Sequence, residues 1–137
     1  MISEQEIKKD LPSGWSVSDL GSLGTFSKGK GILKEQLSAY GLPCVRYGEL
    51  YTTHDLIVRH FGSYISKAVA AQSKQIKSGD ILFAGSGETR NEIGKAAAYL
   101  KDTEAYAGGD VIILSTGSSQ KAEFLSYAME SKLVRKQ

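Results

Sequence analysis

The sequence predicts a mixed α/β domain (α+β in character) with a largely β core and flanking helices. Short β-favouring runs recur between turn residues, the clearest being residues 81–84 and 110–115. Fifteen glycines against two prolines indicate many tight turns and no disordered linker. Near the end, Ala122, Leu125, Ala128, Met129 and Leu133 form one apolar stripe, which predicts an amphipathic helix over 120–136.

With 137 residues, one domain is the default. Hydrophobic residues make up 41% and charged residues 23%, ordinary values for a globular chain. A net charge of +2 is compatible with nucleic acid without demanding it. The single Cys44 allows no intrachain disulfide, and a buried, reduced thiol fits a cytoplasmic setting. The N-terminus is polar and acidic, unlike a signal peptide, and no apolar run approaches the ~18 residues of a membrane span.

In order along the chain, Ser3 and Glu6 have the spacing of a capping box, predicting a helical turn over 3–9. Pro12-Ser13-Gly14 interrupts, and Trp15, Val17, Leu20 and Leu23 alternate partially, with Trp15 expected as a core or lid residue. A strand is expected over 23–27. Lys28-Gly29-Lys30-Gly31 follows, either a solvated turn or two cations placed to approach phosphates. Residues 33–40 have helical composition, with Gly41 as the stop. The next strand, 44–47, would turn Val45 and Tyr47 to one face. Its Arg46-Tyr47 pair suits phosphate or base contact, or a salt-bridged strand edge. His54, Asp55 and His60 show no metal-ligand spacing and are expected to be surface or hydrogen-bonded core residues. A helix is expected over 63–75, flanked by Lys67, Lys74 and Lys77. Ser78-Gly79 then turns into the strand 81–84. Residues 93–100 are rich in small side chains and are read as strand, because Gly94 opens them and Asp102 closes them. Ser118 or Ser119 caps the last helix, whose final turns carry Lys132, Arg135 and Lys136 at the negative end of its dipole.

The polar loop between 84 and 93 invites catalytic readings, and each fails on spacing. Gly87 and Gly94-Lys95 are separated by six residues where a P-loop has four, and Ala96 stands where a hydroxyl must reach the metal. Gly85-Ser86-Gly87 is not a nucleophile elbow, and no pattern links Cys44 to His54 or His60. Glu88, Glu92 and Lys95 are spaced too loosely for a two-metal nuclease, and no dinucleotide fingerprint is present. No catalytic constellation is found, and neither a cofactor nor a metal is expected in the chain.

Several stretches in order resemble one family. Leu11-Pro12-Ser13-Gly14-Trp15 with Leu20-Gly21 resembles the opening of target recognition domains in the specificity subunits of type I restriction–modification enzymes. Pro43-Cys44-Val45-Arg46-Tyr47-Gly48-Glu49-Leu50 resembles that family's "iPwiRiGDL" strand, with Cys44 and Glu49 as departures. Lys77 to Leu82, Gly85-Ser86-Gly87 and Ile93 to Ala97 resemble "i-kGDiLls-x-sGt-iGkaa". The run 108–114 matches the late buried strand, and Phe124 to Met129 resembles the "FLyyyL" helix start. The resemblance divides the chain into an N-terminal helical extension (1–10), a target recognition domain (11–118), and a C-terminal helix (119–137) that would begin a conserved spacer region. The family's Pro-rich segment and long spacer helix are missing, so a fragment, a truncated protein or an excised domain is expected.

The resemblance implies recognition of double-stranded DNA, covering one half of a bipartite site. Catalysis would lie in a methyltransferase (modification) subunit and a restriction subunit, with a homodimer open to a truncated chain and no membrane role. Glu88, Thr89, Arg90 and Asn91 are then expected to read bases: Arg90 guanine, Asn91 adenine, Glu88 cytosine, with Ser86 and Thr89 as adaptable donors. Lys95, Arg46, Tyr47, Lys28, Lys30, Lys67 and Lys74 are expected contacts, mostly to phosphate. Two alternatives stand beside this. The loop is a solvated surface in which Glu88 pairs with Arg90, or the domain is an orphan protein–protein module that binds or decoys a restriction–modification assembly.

Overall fold

The strands pair into two mixed sheets facing one another, in a computed structural model that describes residues 11–135. The helical turn expected over 3–9 and Lys136 lie outside the described residues. The elements are β1 (Thr25–Lys28), β2 (Leu42–Val45), α1 (Glu49–Thr52), β3 (Leu56–Ile57), β4 (Ser63–Ile65) and α2 (Lys67–Ala70). They continue as β5 (Lys74–Ile76), β6 (Asp80–Ala84), β7 (Ala96–Tyr99), β8 (Ala105–Ala107), β9 (Val111–Ser115), α3 (Ser119–Met129) and α4 (Lys132–Arg135). The larger sheet runs β1-β9-β6-β7-β3 and the smaller β4-β2-β8-β5. This is the mixed α/β class with a largely β core that the sequence predicts.

The main core lies between the sheets. Leu82, Ala84, Ala97, Tyr99, Val111 and Ile113 from one sheet meet Val45, Ile76, Ala105 and Ala107 from the other, with Leu50 and Val58. The opposite face of the larger sheet presents Ile81, Ala96, Ala98 and Leu114 to Ala122 and Met129 of α3. Strands β6, β7 and β9 are thus covered on both faces, which explains why their sequences are apolar runs without alternation. Three alanines in β7 would suit a helix, but helical backbone could not complete the ladders to β6 and β3. Ile32, Cys44, Ile65, Ala70 and Tyr106 form a third cluster outside the smaller sheet. Among the described residues, no helix is long and apolar enough to cross a membrane.

Four expected elements differ. The helix over 33–40 is reduced to a 3-10 turn, Lys34–Gln36. Its backbone is drawn away by the N–H of Ser38, which donates to the carbonyl of Tyr64 at 2.8 Å along the edge of β4. The helix over 63–75 is strand, one helical turn, then strand. β4 and β5 each complete an antiparallel pair in the smaller sheet, so tertiary pairing overrides the alanine-rich composition. Strand 44–47 ends at Val45, because the Arg46 N–H donates to Glu49 Oε1 at 2.8 Å and turns the chain. The terminal helix stops at Met129 and restarts as α4, whose Val134 N–H donates to Ser131 Oγ at 3.3 Å. Ser118 is the cap of α3, accepting from the Lys121 N–H. Trp15 is no core residue; it is 63% exposed.

Candidate functional site

Strand register brings most of the expected contact residues to one end of the β core. Lys28 pairs with Ile112, Ile112 with Phe83, and Phe83 with Ala96. At ~4.8 Å per strand, Lys28 stands about 10 Å from the point where β6 gives way to the polar loop. In the smaller sheet, Val45, Ala107 and Lys74 share a row. Arg46 and Lys74 therefore lie at one end of that sheet, again two strands apart. Backbone bonds join the two ends: Gly29 N–H to Val111 O (2.7 Å), Lys30 N–H to Ala107 O (3.1 Å) and Gly108 N–H to Val45 O (3.0 Å). Gly29 is pressed so closely on this connection that a Cβ would lie 1.8 Å from the Gly108 oxygen. The turn is thereby fixed, with Lys28 and Lys30 exposed on either side of it. Lys67 is not brought to this end. It follows Ile65, which pairs with Leu42 at the far end of β2.

The loop after β6 has its own scaffold. Gly94 N–H donates to Ala84 O (2.7 Å), Ala84 N–H to Lys95 O (2.9 Å), and Gly85 N–H to Asp110 O (2.7 Å). Inside it, Glu92 folds back so that its Oε2 accepts the Glu88 N–H at 2.9 Å. Gly87 makes room, since a Cβ there would lie 2.8 Å from that of Glu92. Glu88, Thr89, Arg90 and Asn91 are left exposed at the tip, with Ser86 half-buried at the base. Among the described residues no ion pair joins Glu88 to Arg90. Lys95 is engaged elsewhere, its Nζ 2.7 Å from Glu130 Oε2 at the end of α3. Arg135 of α4 donates to Asn91 O (2.6 Å) and Ile93 O (3.2 Å).

Beside the loop, Glu49 at the start of α1 accepts the Arg46 N–H (2.8 Å) and the Ser63 hydroxyl (3.0 Å), holding the turn that presents Arg46 and Tyr47. Tyr47 and Tyr51 lie with ring centroids 6.5 Å apart at 52°. The Tyr51 phenol is pushed above its ordinary pKa by desolvation, then by Glu92, Tyr47 and Glu88. Tyr51 lines a cleft of about 290 Å³ with Arg46, Tyr47, Gly48, Glu49 and Thr52. The sequence signal for Tyr51 was the Tyr47…Tyr51 spacing of four, which faces two rings alike once Glu49 starts a helical turn. Glu92 was visible only as a loosely spaced carboxylate, and Glu130 and Arg135 carried no signal linking them to the loop.

Chemically, the arrangement offers separated cations, planar amide and guanidinium groups and aromatic faces. Among the described residues no three His, Cys, Asp or Glu side chains converge to hold a metal. His54 is buried, its pKa lowered to about 4 by desolvation and by His60, and its Nε2 has no hydrogen-bond partner. Cys44 is buried 3.3 Å from Ser63 Oγ, and burial pushes its thiol up, away from nucleophilic thiolate.

No protein-family model matches the chain, and no curated protein matches it in sequence. Solved structures do share its fold. The HsdS subunit from Thermoanaerobacter tengcongensis superposes with a TM-score of 0.52 at 16% identity, over 92% of this chain and 32% of that one. A chain from a structure addressing complex assembly and conformational transition of the type I R-M system gives 0.52 at 18% identity, over 90% and 31%. The chain spans about a third of the length of each. The likeness expected from the sequence motifs is therefore met at the level of fold.

Proposed function

We propose that this chain recognises double-stranded DNA sequence-specifically, as the recognition part of a type I restriction–modification specificity subunit. It reads one half of a bipartite site, and catalysis belongs to partner modification and restriction subunits. The observation that carries this is the convergence at one end of the core. Lys28, Lys30, Lys74 and Arg46 flank a rigidly based loop that exposes Glu88, Thr89, Arg90 and Asn91. Cations at the flanks suit phosphates of a duplex, and the loop tip carries the side chains that discriminate base edges. Tyr47 and Tyr51 add apolar and hydroxyl contacts beside the loop. Lys67 drops out of the contact set because of its position, and Lys95 serves the loop's own structure. The shared fold with HsdS supports the same reading.

Selection from random-sequence duplexes, followed by gel shift at graded salt, tests it. Enrichment of a motif of ~3–5 base pairs is expected, with weak and salt-sensitive binding by a single domain. Failure to enrich any motif at low salt would refute DNA reading and turn the same surface toward a protein partner.

A further inference from the structure

The loop that carries the exposed side chains is held from behind by the C-terminal helices. Arg135 places its two guanidinium nitrogens on the carbonyls of Asn91 and Ile93, two residues apart, at 2.6 and 3.2 Å. Glu130, at the C-cap of α3, holds Lys95 at the loop's exit at 2.7 Å, with both side chains about two-thirds buried. Both contacts bridge more than thirty residues of sequence. Helix α3 itself is fixed, because Ala122 and Met129 are buried against the larger sheet.

We infer that Arg135 and the Lys95–Glu130 pair form a clamp that presets the reading loop, making them positioning residues for DNA recognition. The inference rests on the function proposed above. Arg135 binds main-chain carbonyls, so its grip is indifferent to which side chains stand at 88–91. A fork of fixed geometry spanning two carbonyls also restrains the turn's shape more than a single point charge can. The loop tip is then free to vary in chemistry while its frame stays constant. Ordering the loop before DNA arrives removes part of the entropic cost of binding, a cost that falls on specific contacts and not on diffuse phosphate attraction.

Hydrogen exchange on the full chain reads the clamp without DNA. In Arg135→Ala, the amides of Glu88, Glu92, Gly94 and Lys95, all hydrogen-bonded within the loop or to its base, should exchange about 3- to 10-fold faster, with β6, β9 and α3 unchanged. Glu130→Gln should give a smaller change in the same direction, and Arg135→Lys an intermediate one. In a second arm, Arg135→Ala should lose about 5- to 10-fold in binding to the selected duplex while random-sequence binding stays within about twofold. Unchanged loop exchange, or acceleration spread through the whole domain, overturns the clamp whatever happens with DNA. Faster loop exchange with undiminished selective binding overturns the positioning role and leaves DNA reading intact. Absence of any selected duplex for the wild-type chain, with loop exchange still responding to Arg135→Ala, defeats the DNA function itself and with it the role assigned to the clamp.

Discussion

Replacing Gly29 with alanine tests whether the basic turn is built into the core or merely laid across it. The added Cβ would sit 1.8 Å from the Gly108 oxygen and 3.0 Å from the Ala107 oxygen, both main-chain atoms. Relieving that overlap needs a shift of about 1.5 Å to reach ordinary contact, too large for the bonds Gly29 N–H to Val111 O and Lys30 N–H to Ala107 O to survive. Each lost bond is worth roughly 1 kcal/mol, and stranding buried carbonyls adds to it, so a loss of about 2–4 kcal/mol is expected. For a domain of this size that is a large share of the roughly 5–15 kcal/mol holding it folded. Urea unfolding should show the midpoint falling by about 1–2.5 M with little change in slope. Gly21→Ala is the control, since nothing lies closer than 4.0 Å to its Cβ position, and it should stay within about 0.5 kcal/mol of wild type. If Gly29→Ala unfolded no earlier than Gly21→Ala, the turn would be loosely attached, and the placement of Lys28 and Lys30 would lose its structural basis.

Other expectations follow from the same geometry. Arg90→Ala should cost about 1–3 kcal/mol on the selected duplex and blur one base position; an equal loss on all sequences would make it a phosphate contact. Lys28→Ala should lower the slope of log binding constant against log salt by about 0.9 and leave the motif unchanged, as a selection at two salt concentrations would reveal. Tyr99, fully buried and donating to the Thr103 carbonyl, has its pKa pushed up to about 12 by burial and by Asp102. Its neutral form is favoured in the fold, so the contribution is complete below pH 10 and disappears as pH rises through 12; Tyr99→Phe should flatten stability in that window. His54 works at the other end. With a folded pKa of about 4, its contribution is full above pH 6.5 and is lost as pH falls toward 4. His54→Leu, which removes the unpartnered Nε2, should therefore unfold later than wild type at pH 5 and show a shallower acid limb.

The elements readable in the sequence were those whose local preferences and tertiary surroundings agree. β6 and β9 are β-favouring and central, and α3 has a capping serine followed by an apolar stripe. The misread segments are those where pairing partners are distant. Residues 63–75 look helical until β2 and β8 supply ladders for them, and residues 33–40 until Tyr64 takes the Ser38 N–H. Strand β8 was passed over because three residues, Ala105 to Ala107, are too few to show a period. The site divides in the same way. The polar tip announced itself by composition, and Lys28, Lys30, Arg46 and Lys74 by charge. Glu92 and Tyr51 act through local contacts, to Glu88 and Tyr47, that need the folded turn to be seen, whereas Glu130 and Arg135 reach residues 35 and 44 positions away, which no local window of sequence contains. Lys67 lies toward the far end of β2 and Lys95 pairs with Glu130, placements that charge alone does not tell.

The alanines of β7 give the domain an unexpected lever. Ala96 and Ala98 form the floor on which α3 rests. Glu130 caps the far end of α3, and Arg135 stands on α4 just beyond it, so both side chains that hold the loop depend on where α3 lies. A larger residue in that floor would act as a shim, raising the helix and dragging Glu130 and Arg135 off their carbonyl and ammonium partners. On the proposed DNA-reading function, target preference would then drift through substitutions buried out of reach of any nucleotide. Libraries built to redirect this domain should accordingly vary the floor beneath the helix along with the tip of the loop.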